Sequence, residues 1–124
     1  MDCIDQRTMI SHRVRVANRL FSRLLGLKAK GVMNDVDALL LDPCYSIHSY
    51  GMPTDIDVAF IDKQGRVLKS LRNLPPRRLA SCHGARATLE RFSDPTSSWF
   101  SEGEMLVLSY LDDKKVPAII TKME

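Results

Sequence analysis

Residues 39–69 read LLLDPCYSIHSYGMPTDIDVAFIDKQGRVLK, and this stretch determines the fold class. Within it, Ile56–Ile61 is apolar except for Asp57, a pattern typical of a strand that is buried on both faces in the centre of a sheet. The next four residues, DKQG, predict a turn in which the glycine takes a positive φ. Residues 66–71 then return as the antiparallel partner, so the stretch predicts a β-hairpin around a central strand.

On either side of this hairpin, short runs of apolar or alternating residues predict additional strands. They occupy residues 8–16, 38–41, 45–49, 79–82, 85–92, 105–111 and 116–121. One segment instead follows helical spacing, with four apolar side chains between Asn18, which suits a helix N-cap, and Gly26, which suits a helix end. Six to eight short strands and one short amphipathic helix predict a mainly β fold, a small single-domain barrel or sandwich of mostly antiparallel strands.

The length of 124 residues suits one domain spanning residues 1–124, and a hydrophobic content of 44% is enough for a core. No apolar run approaches the ~20 residues of a membrane helix, and residues 1–16 lack the continuous apolar segment of a secretory signal. The three cysteines, an odd number, favour free thiols over a disulfide framework. We therefore expect a cytoplasmic protein, and no cofactor is predicted.

The net charge of +3 is unevenly distributed along the chain. Residues 31–62 contain six aspartates and no lysine or arginine, whereas residues 63–91 contain eight lysines and arginines against Glu90 alone. One interpretation is that the two blocks lie side by side and compensate each other. The other is that the protein is a pure interaction partner, which docks an anionic molecule through Arg77 and Arg78. Nucleic acid is not the expected molecule, because residues 63–91 contain no aromatic side chain.

A set of residues with a distinctive order along the chain carries a family resemblance. They are Arg23-Leu24-Leu25-Gly26-Leu27, Pro43-Cys44, Ser46-Ile47-His48, Met52, Ile56-Asp57-Val58, Phe60-Ile61-Asp62, Gly65, Val67, Pro76, Cys82, Gly84-Ala85, Leu89-Glu90 and Gly103-Glu104. In this order they resemble the uncharacterised bacterial and archaeal proteins of domain-of-unknown-function family 192. The resemblance covers about residues 14–108 and leaves 112–124 as a C-terminal extension. It implies a compact β-rich domain, barrel-like or sandwich-like, and brings no established activity.

The polar chemistry of the chain concentrates around His48, which leads to a first hypothesis of a non-catalytic binding module. In this hypothesis His48, Met52 and Asp57 lie at one end of the sheet and hold a small polar ligand or a strand of a protein partner. Tyr50 would line the same pocket. Arg86 would favour an anionic or carbohydrate-like ligand if its side chain faces His48.

A second hypothesis is a metal- or thiol-dependent enzyme of hydrolytic type. Cys44 would be the thiolate nucleophile, His48 its base and Asp57 the group that orients the imidazole. A reactive thiolate needs an electropositive setting, and Cys44 lies in the acidic block, which argues against this hypothesis. The alternative for Asp57 is a buried acid that receives hydrogen bonds from His48 or from an arginine of residues 63–91.

Cys44, His48, Cys82 and His83 also form a candidate set of zinc ligands, because thiolates and imidazoles are the donors of tetrahedral zinc sites. Their spacing differs from the usual C-x2-C pair, and adjacent residues on an extended strand point to opposite faces. The simpler interpretation is that both cysteines are small buried apolar residues.

Overall fold

In the computed structural model the described residues are 10–17, 38–110 and 118–123, and they form nine β-strands. The strands are β1 (Ile10–Ala17), β2 (Ala38–Leu41), β3 (Ser46–His48), β4 (Ile56–Ile61), β5 (Val67–Leu74), β6 (Leu79–Ser81), β7 (Ala87–Phe92), β8 (Met105–Tyr110) and β9 (Ala118–Met123). The mainly β prediction is confirmed, with strand ends displaced by up to three residues. The predicted helix at 18–26 lies outside the described residues. Within the described ranges no helix is long and apolar enough to cross a membrane.

Seven strands form one sheet in the order β5-β4-β7-β2-β1-β9-β8, and β3 and β6 form a separate two-stranded ribbon. β4 pairs with both β5 and β7, which confirms that Ile56–Ile61 is a central strand. The strand pairings are antiparallel except that of β1 with β2. The last predicted strand, 116–121, corresponds to β9, which lies between β1 and β8. Its neighbour β1 is remote in sequence, so local pattern does not reveal this pairing.

The seven-stranded sheet curls into a half-barrel whose two edge strands meet at one end. The Val67 N–H donates to the Glu104 carbonyl oxygen across 2.9 Å, and the Leu106 N–H donates to the Gly65 carbonyl oxygen across 2.8 Å. Gly65 has a φ of 96°, and a Cβ atom there would overlap the Leu106 carbonyl oxygen. Glycine at this turn therefore allows β5 and β8 to approach each other this closely.

An inner core fills the half-barrel. Small side chains such as Ala38, Ala59 and Ala87 face it from neighbouring strands, as the limited space inside a small barrel requires. Trp99 and Phe100, from the loop after β7, are buried in the same core. We refer to the loop 93–100 as the plug, since it covers the end of the half-barrel at which β7 finishes.

An outer core lies between the opposite face of the sheet and the β3–β6 ribbon. Ile47 and Ala80 of the ribbon pack there against Val58 and Phe60 of β4. Because Ala59 and Ile61 of β4 face the inner core instead, successive side chains of this strand serve both cores. This double burial is the physical reason for the continuous apolar run.

Candidate functional site

Asp57 is a fully buried carboxylate on β4. Its Oδ2 accepts a hydrogen bond of 2.9 Å from Arg91 Nε, and its Oδ1 accepts bonds from the Ser93 hydroxyl (2.9 Å) and the Asn73 backbone N–H (3.1 Å). Arg72 Nη2 lies 3.6 Å from Oδ2. Burial alone would raise the pKa of Asp57, but the hydrogen bonds from Asn73, Arg91 and Ser93 outweigh it and hold the pKa below its ordinary value of 3.8.

The two arginines that surround Asp57 also hold the plug. Arg72 Nη2 donates to the carbonyl oxygens of Asp94 and Ser97 across 2.8 and 2.9 Å, and Arg91 Nη2 reaches the same two oxygens. The Arg91 guanidinium carbon lies 4.7 Å from the ring centroid of Trp99, a cation–π contact. Asp57 therefore has a structural role, because it positions the arginines that hold the plug. The observed arrangement is the predicted alternative in which Asp57 is a buried acid bonded to an arginine of residues 63–91.

Asp94 orders the plug from within. Its carboxylate accepts hydrogen bonds from the Thr96 hydroxyl (2.6 Å), the Ser97 hydroxyl (2.8 Å) and the Thr96 backbone N–H (3.0 Å). These bonds, led by the one from the Thr96 hydroxyl, lower the pKa of Asp94 to about 2. The carboxylate therefore stays charged, and the turn stays closed, throughout the neutral and mildly acidic range.

The β3–β6 ribbon presents one face to the outer core and the other to solvent. Ile47 pairs with Ala80 and both are buried, whereas His48 pairs with Leu79, which is 75% exposed. The ring of Tyr50, itself 50% exposed, meets the His48 ring edge-on with centroids 5.7 Å apart. The imidazole is half-buried, and its Nδ1 is buried with no hydrogen-bond partner among the described residues. An aromatic and apolar surface thus lies open at this place.

Ser49 clamps the adjoining loop, residues 75–78, onto the ribbon. Its buried hydroxyl donates to the Pro75 carbonyl oxygen across 2.6 Å and accepts from the Arg78 N–H across 2.9 Å. Its backbone carbonyl oxygen accepts from the N–H of Arg77, which holds a φ of 66° that is uncommon for any residue except glycine. The side chains of Arg77 and Arg78 are both exposed. We call this surface the ribbon corner: His48, Tyr50, Arg77, Arg78 and Leu79.

The residues predicted to form one binding site fall into four places. His48 and Tyr50 meet in the ribbon corner, but Met52 is buried in the outer core. Asp57 faces the inner core, on the opposite side of the sheet, so its contacts are with Arg91 and not with His48. Arg86 lies elsewhere again, where its Nε donates to Asp42 Oδ1 across 2.9 Å.

The separation of Asp57 from the ribbon also leaves the predicted Cys44–His48–Asp57 triad unassembled. The Cys44 thiol donates to the Ser46 carbonyl oxygen across 3.3 Å, and the Asp57 carboxylate is occupied on the other side of the sheet. Alternation along β4 explains why the triad does not form. Ile56, Val58 and Phe60 face the ribbon, so Asp57, which lies between Ile56 and Val58 in sequence, points to the other side of the sheet.

The predicted zinc ligands are not brought together either. In the part of the chain that the structure describes, no three His, Cys, Asp or Glu side chains form a group that could hold a metal ion. Cys44 and Cys82 are unbridged and half-buried against the outer core, which agrees with their reading as small apolar residues. The Cys82 thiol lies 3.8 Å from the His83 carbonyl oxygen.

The roles of two residues were not predicted from the sequence: Leu79, which belongs to the ribbon corner, and Ser49, which clamps the adjoining loop. Ser49 has the same parity as Ile47 along the strand, and this alternation was the signal for an inward hydroxyl. Leu79 gave no such signal, because an apolar residue at the start of a predicted strand is expected to face the core. Its exposure follows from pairing with His48 on the outer side of the ribbon.

Comparison with known proteins supports the fold and the family. A crystal structure of a protein of unknown function from Novosphingobium aromaticivorans is similar, with a TM-score of 0.52 and 14% sequence identity over 74% of this chain and 79% of that chain. No curated protein matches the sequence significantly. The family model for DUF192, described as Uncharacterized ACR, matches residues 3–99. The chain therefore belongs to domain-of-unknown-function family 192, whose members are uncharacterised.

Proposed function

We propose that the protein is a non-catalytic binding module whose ribbon corner docks an acidic segment of a protein partner. The observation that carries the proposal is the pair of exposed arginines beside exposed apolar and aromatic side chains. Within residues 10–17, 38–110 and 118–123, no carboxylate forms an ion pair with Arg77 or Arg78. By contrast, Arg72, Arg86 and Arg91 are paired with aspartates.

The side chains next to these cations are of the types that anchor protein interfaces. Tyr50 offers a rigid aromatic ring with a hydroxyl, and Leu79 presents an aliphatic side chain that is largely exposed. His48 lies between them, and its half-buried ring extends the aromatic surface. An acidic segment with an apolar residue among its carboxylates would satisfy both parts of the corner.

The clamp by Ser49 supports binding because it orders the arginine backbone before a partner arrives. Its hydroxyl bonds to the Pro75 carbonyl oxygen and the Arg78 N–H, and its backbone carbonyl oxygen accepts a hydrogen bond from the Arg77 N–H. A surface that is already ordered loses less conformational entropy on association than a mobile loop would. This favours the loop as a binding element over the interpretation that its arginines merely improve solubility.

The test is a fluorescence-anisotropy titration with a fluorescein-labelled peptide that alternates Glu and Leu, compared with its Lys and Leu counterpart. We expect the acidic peptide to bind and the basic peptide not to bind. The double variant Arg77→Glu/Arg78→Glu should weaken binding at least about fivefold, since two exposed ion pairs of about 0.5 kcal/mol each are lost. Lys63→Glu/Arg66→Glu, an equal double charge reversal at exposed positions away from the ribbon corner, is the control.

Equal binding of both peptides, or equal losses in the double variant and in the control, would refute docking at the ribbon corner. The structure does not favour the hydrolase alternative, because Cys44 and His48 lack Asp57 as an orienting group. The proposed compartment is the cytoplasm, on the evidence of the odd number of cysteines.

A further inference from the structure

The half-barrel has a second end, opposite the plug, and a cleft of about 310 Å³ opens there. Its floor consists of side chains of the inner core. They are Ile61, Ala87, Leu106, Leu108 and Ile120. The volume lies at the lower limit of the range found for small-molecule sites, and the mouth of a β-barrel is a usual place for such a site. This cleft is separate from the ribbon corner, which lies on the outer face of the sheet.

The rim of the cleft carries two acids and two bases, so it has no net charge. Asp42 and Arg86 are joined across 2.9 Å. Asp62 accepts hydrogen bonds from the backbone N–H groups of Gln64 and Arg66 through its Oδ1. Lys63 is the second basic residue of the rim. A rim in which opposite charges balance gives no electrostatic advantage to an anion or a cation, while either would lose hydration over the apolar floor.

One wall of the cleft is rigid. Gly65 and Leu106, which both line it, are joined by a backbone hydrogen bond of 2.8 Å, and the missing Cβ of Gly65 permits that approach. The cleft therefore keeps its shape because the turn after β4 and the start of β8 support each other. A preformed apolar site binds with little cost in ordering its own side chains.

We infer that this cleft binds a small uncharged molecule with an apolar body and a polar group. The apolar body lies on the floor formed by Leu106, Leu108 and Ile120, and the polar group meets the rim at Asp62 or Gln64. Burial of apolar surface supplies the affinity, and the rim supplies hydrogen bonds that orient the molecule. This inference does not depend on the ribbon corner.

The experiment uses the intact protein and the neutral fluorescent probe N-phenyl-1-naphthylamine. We expect saturable binding, and we expect 1-octanol to displace the probe at a concentration at least tenfold lower than octanoate, its anionic counterpart. Leu108→Trp should weaken probe binding at least tenfold by filling the cleft. Gln64→Trp, at the exposed rim, should weaken it as well and carries little risk of misfolding.

Leu79→Glu, in the ribbon corner, is the control and should leave probe binding unchanged. Thermal denaturation of each variant verifies that it is folded. The inference is overturned if probe binding does not saturate, if both tryptophan variants bind as the parent does, or if octanoate competes as well as octanol. It is also overturned if Leu79→Glu abolishes binding, because the probe would then occupy the ribbon corner.

Discussion

Asp57 and Arg91 are direct cross-strand neighbours on β4 and β7, and the Arg91 Nε donates to Asp57 Oδ2 across 2.9 Å. The same guanidinium lies over Trp99 and reaches carbonyl oxygens of the plug. One buried ion pair therefore connects the centre of the sheet to the loop that covers the end of the half-barrel.

Asp57→Asn should destabilise the protein by about 3–5 kcal/mol, the usual cost of removing one partner from a buried ion pair. The variant keeps the shape of the side chain but leaves Arg91 without its carboxylate. Urea denaturation measures the free energy of unfolding. Asp55→Asn, on the half-buried residue before β4, is the control and should change it by less than about 0.5 kcal/mol. Similar losses in the free energy of unfolding for the two variants would contradict the role assigned to Asp57.

Acidification should release the plug. The pKa values of Asp57 and Asp94 are lowered in the folded protein, that of Asp94 to about 2. A lowered folded pKa adds stability at pH values above the unfolded value of 3.8, and this stability is lost as the pH falls through the folded values. The fluorescence of Trp99 should therefore change between pH 3.8 and about 2.

The pH experiment has its own control in Asp57→Asn. This variant lacks one of the two carboxylates, so its loss of stability between pH 7 and pH 2 should be smaller than that of the parent. An identical pH dependence in both proteins would mean that Asp57 does not titrate with the lowered pKa described above.

Ser49→Ala should lower the free energy of unfolding by about 1–3 kcal/mol, because the Arg78 N–H loses a buried acceptor. The loop 75–78 should also become more accessible to trypsin, which cleaves after arginine. Ser46→Ala, at the exposed start of the neighbouring strand β3, is the matched control. If both variants are equally stable and equally resistant to trypsin, Ser49 does not clamp the loop.

Gly65→Ala and Gly51→Ala form a matched pair. Both positions have a positive φ, but the space around Gly51 is open whereas a Cβ at Gly65 would meet Leu106. Gly51→Ala should cost about 1 kcal/mol from backbone conformation alone. Gly65→Ala should cost about 1–3 kcal/mol more, because β5 and β8 must separate. Equal losses in thermal denaturation would show that the contact with Leu106 is unimportant for the closure.

The strands could be predicted from the sequence because burial and alternation are local properties. The apolar run of β4 and the glycine turn after it are examples, and a basic block near Asp57 in sequence correctly indicated an arginine partner. The grouping of His48 with Asp57 failed for a different reason. It depends on the ribbon packing on the outer face of the sheet, and no local pattern records the face to which a distant pair of strands is attached.

The junction of β5 with β8 has a consequence for how the protein behaves at high concentration. Strands at the two margins of an open sheet expose unpaired N–H and carbonyl groups, which attract strands from other molecules. Here the Val67 N–H donates to the Glu104 carbonyl oxygen and the Val67 carbonyl oxygen accepts from the Gly103 N–H, so both backbone groups of the first residue of β5 are satisfied. The start of β5 is thereby closed to the addition of a strand from another molecule, which is one route to aggregation.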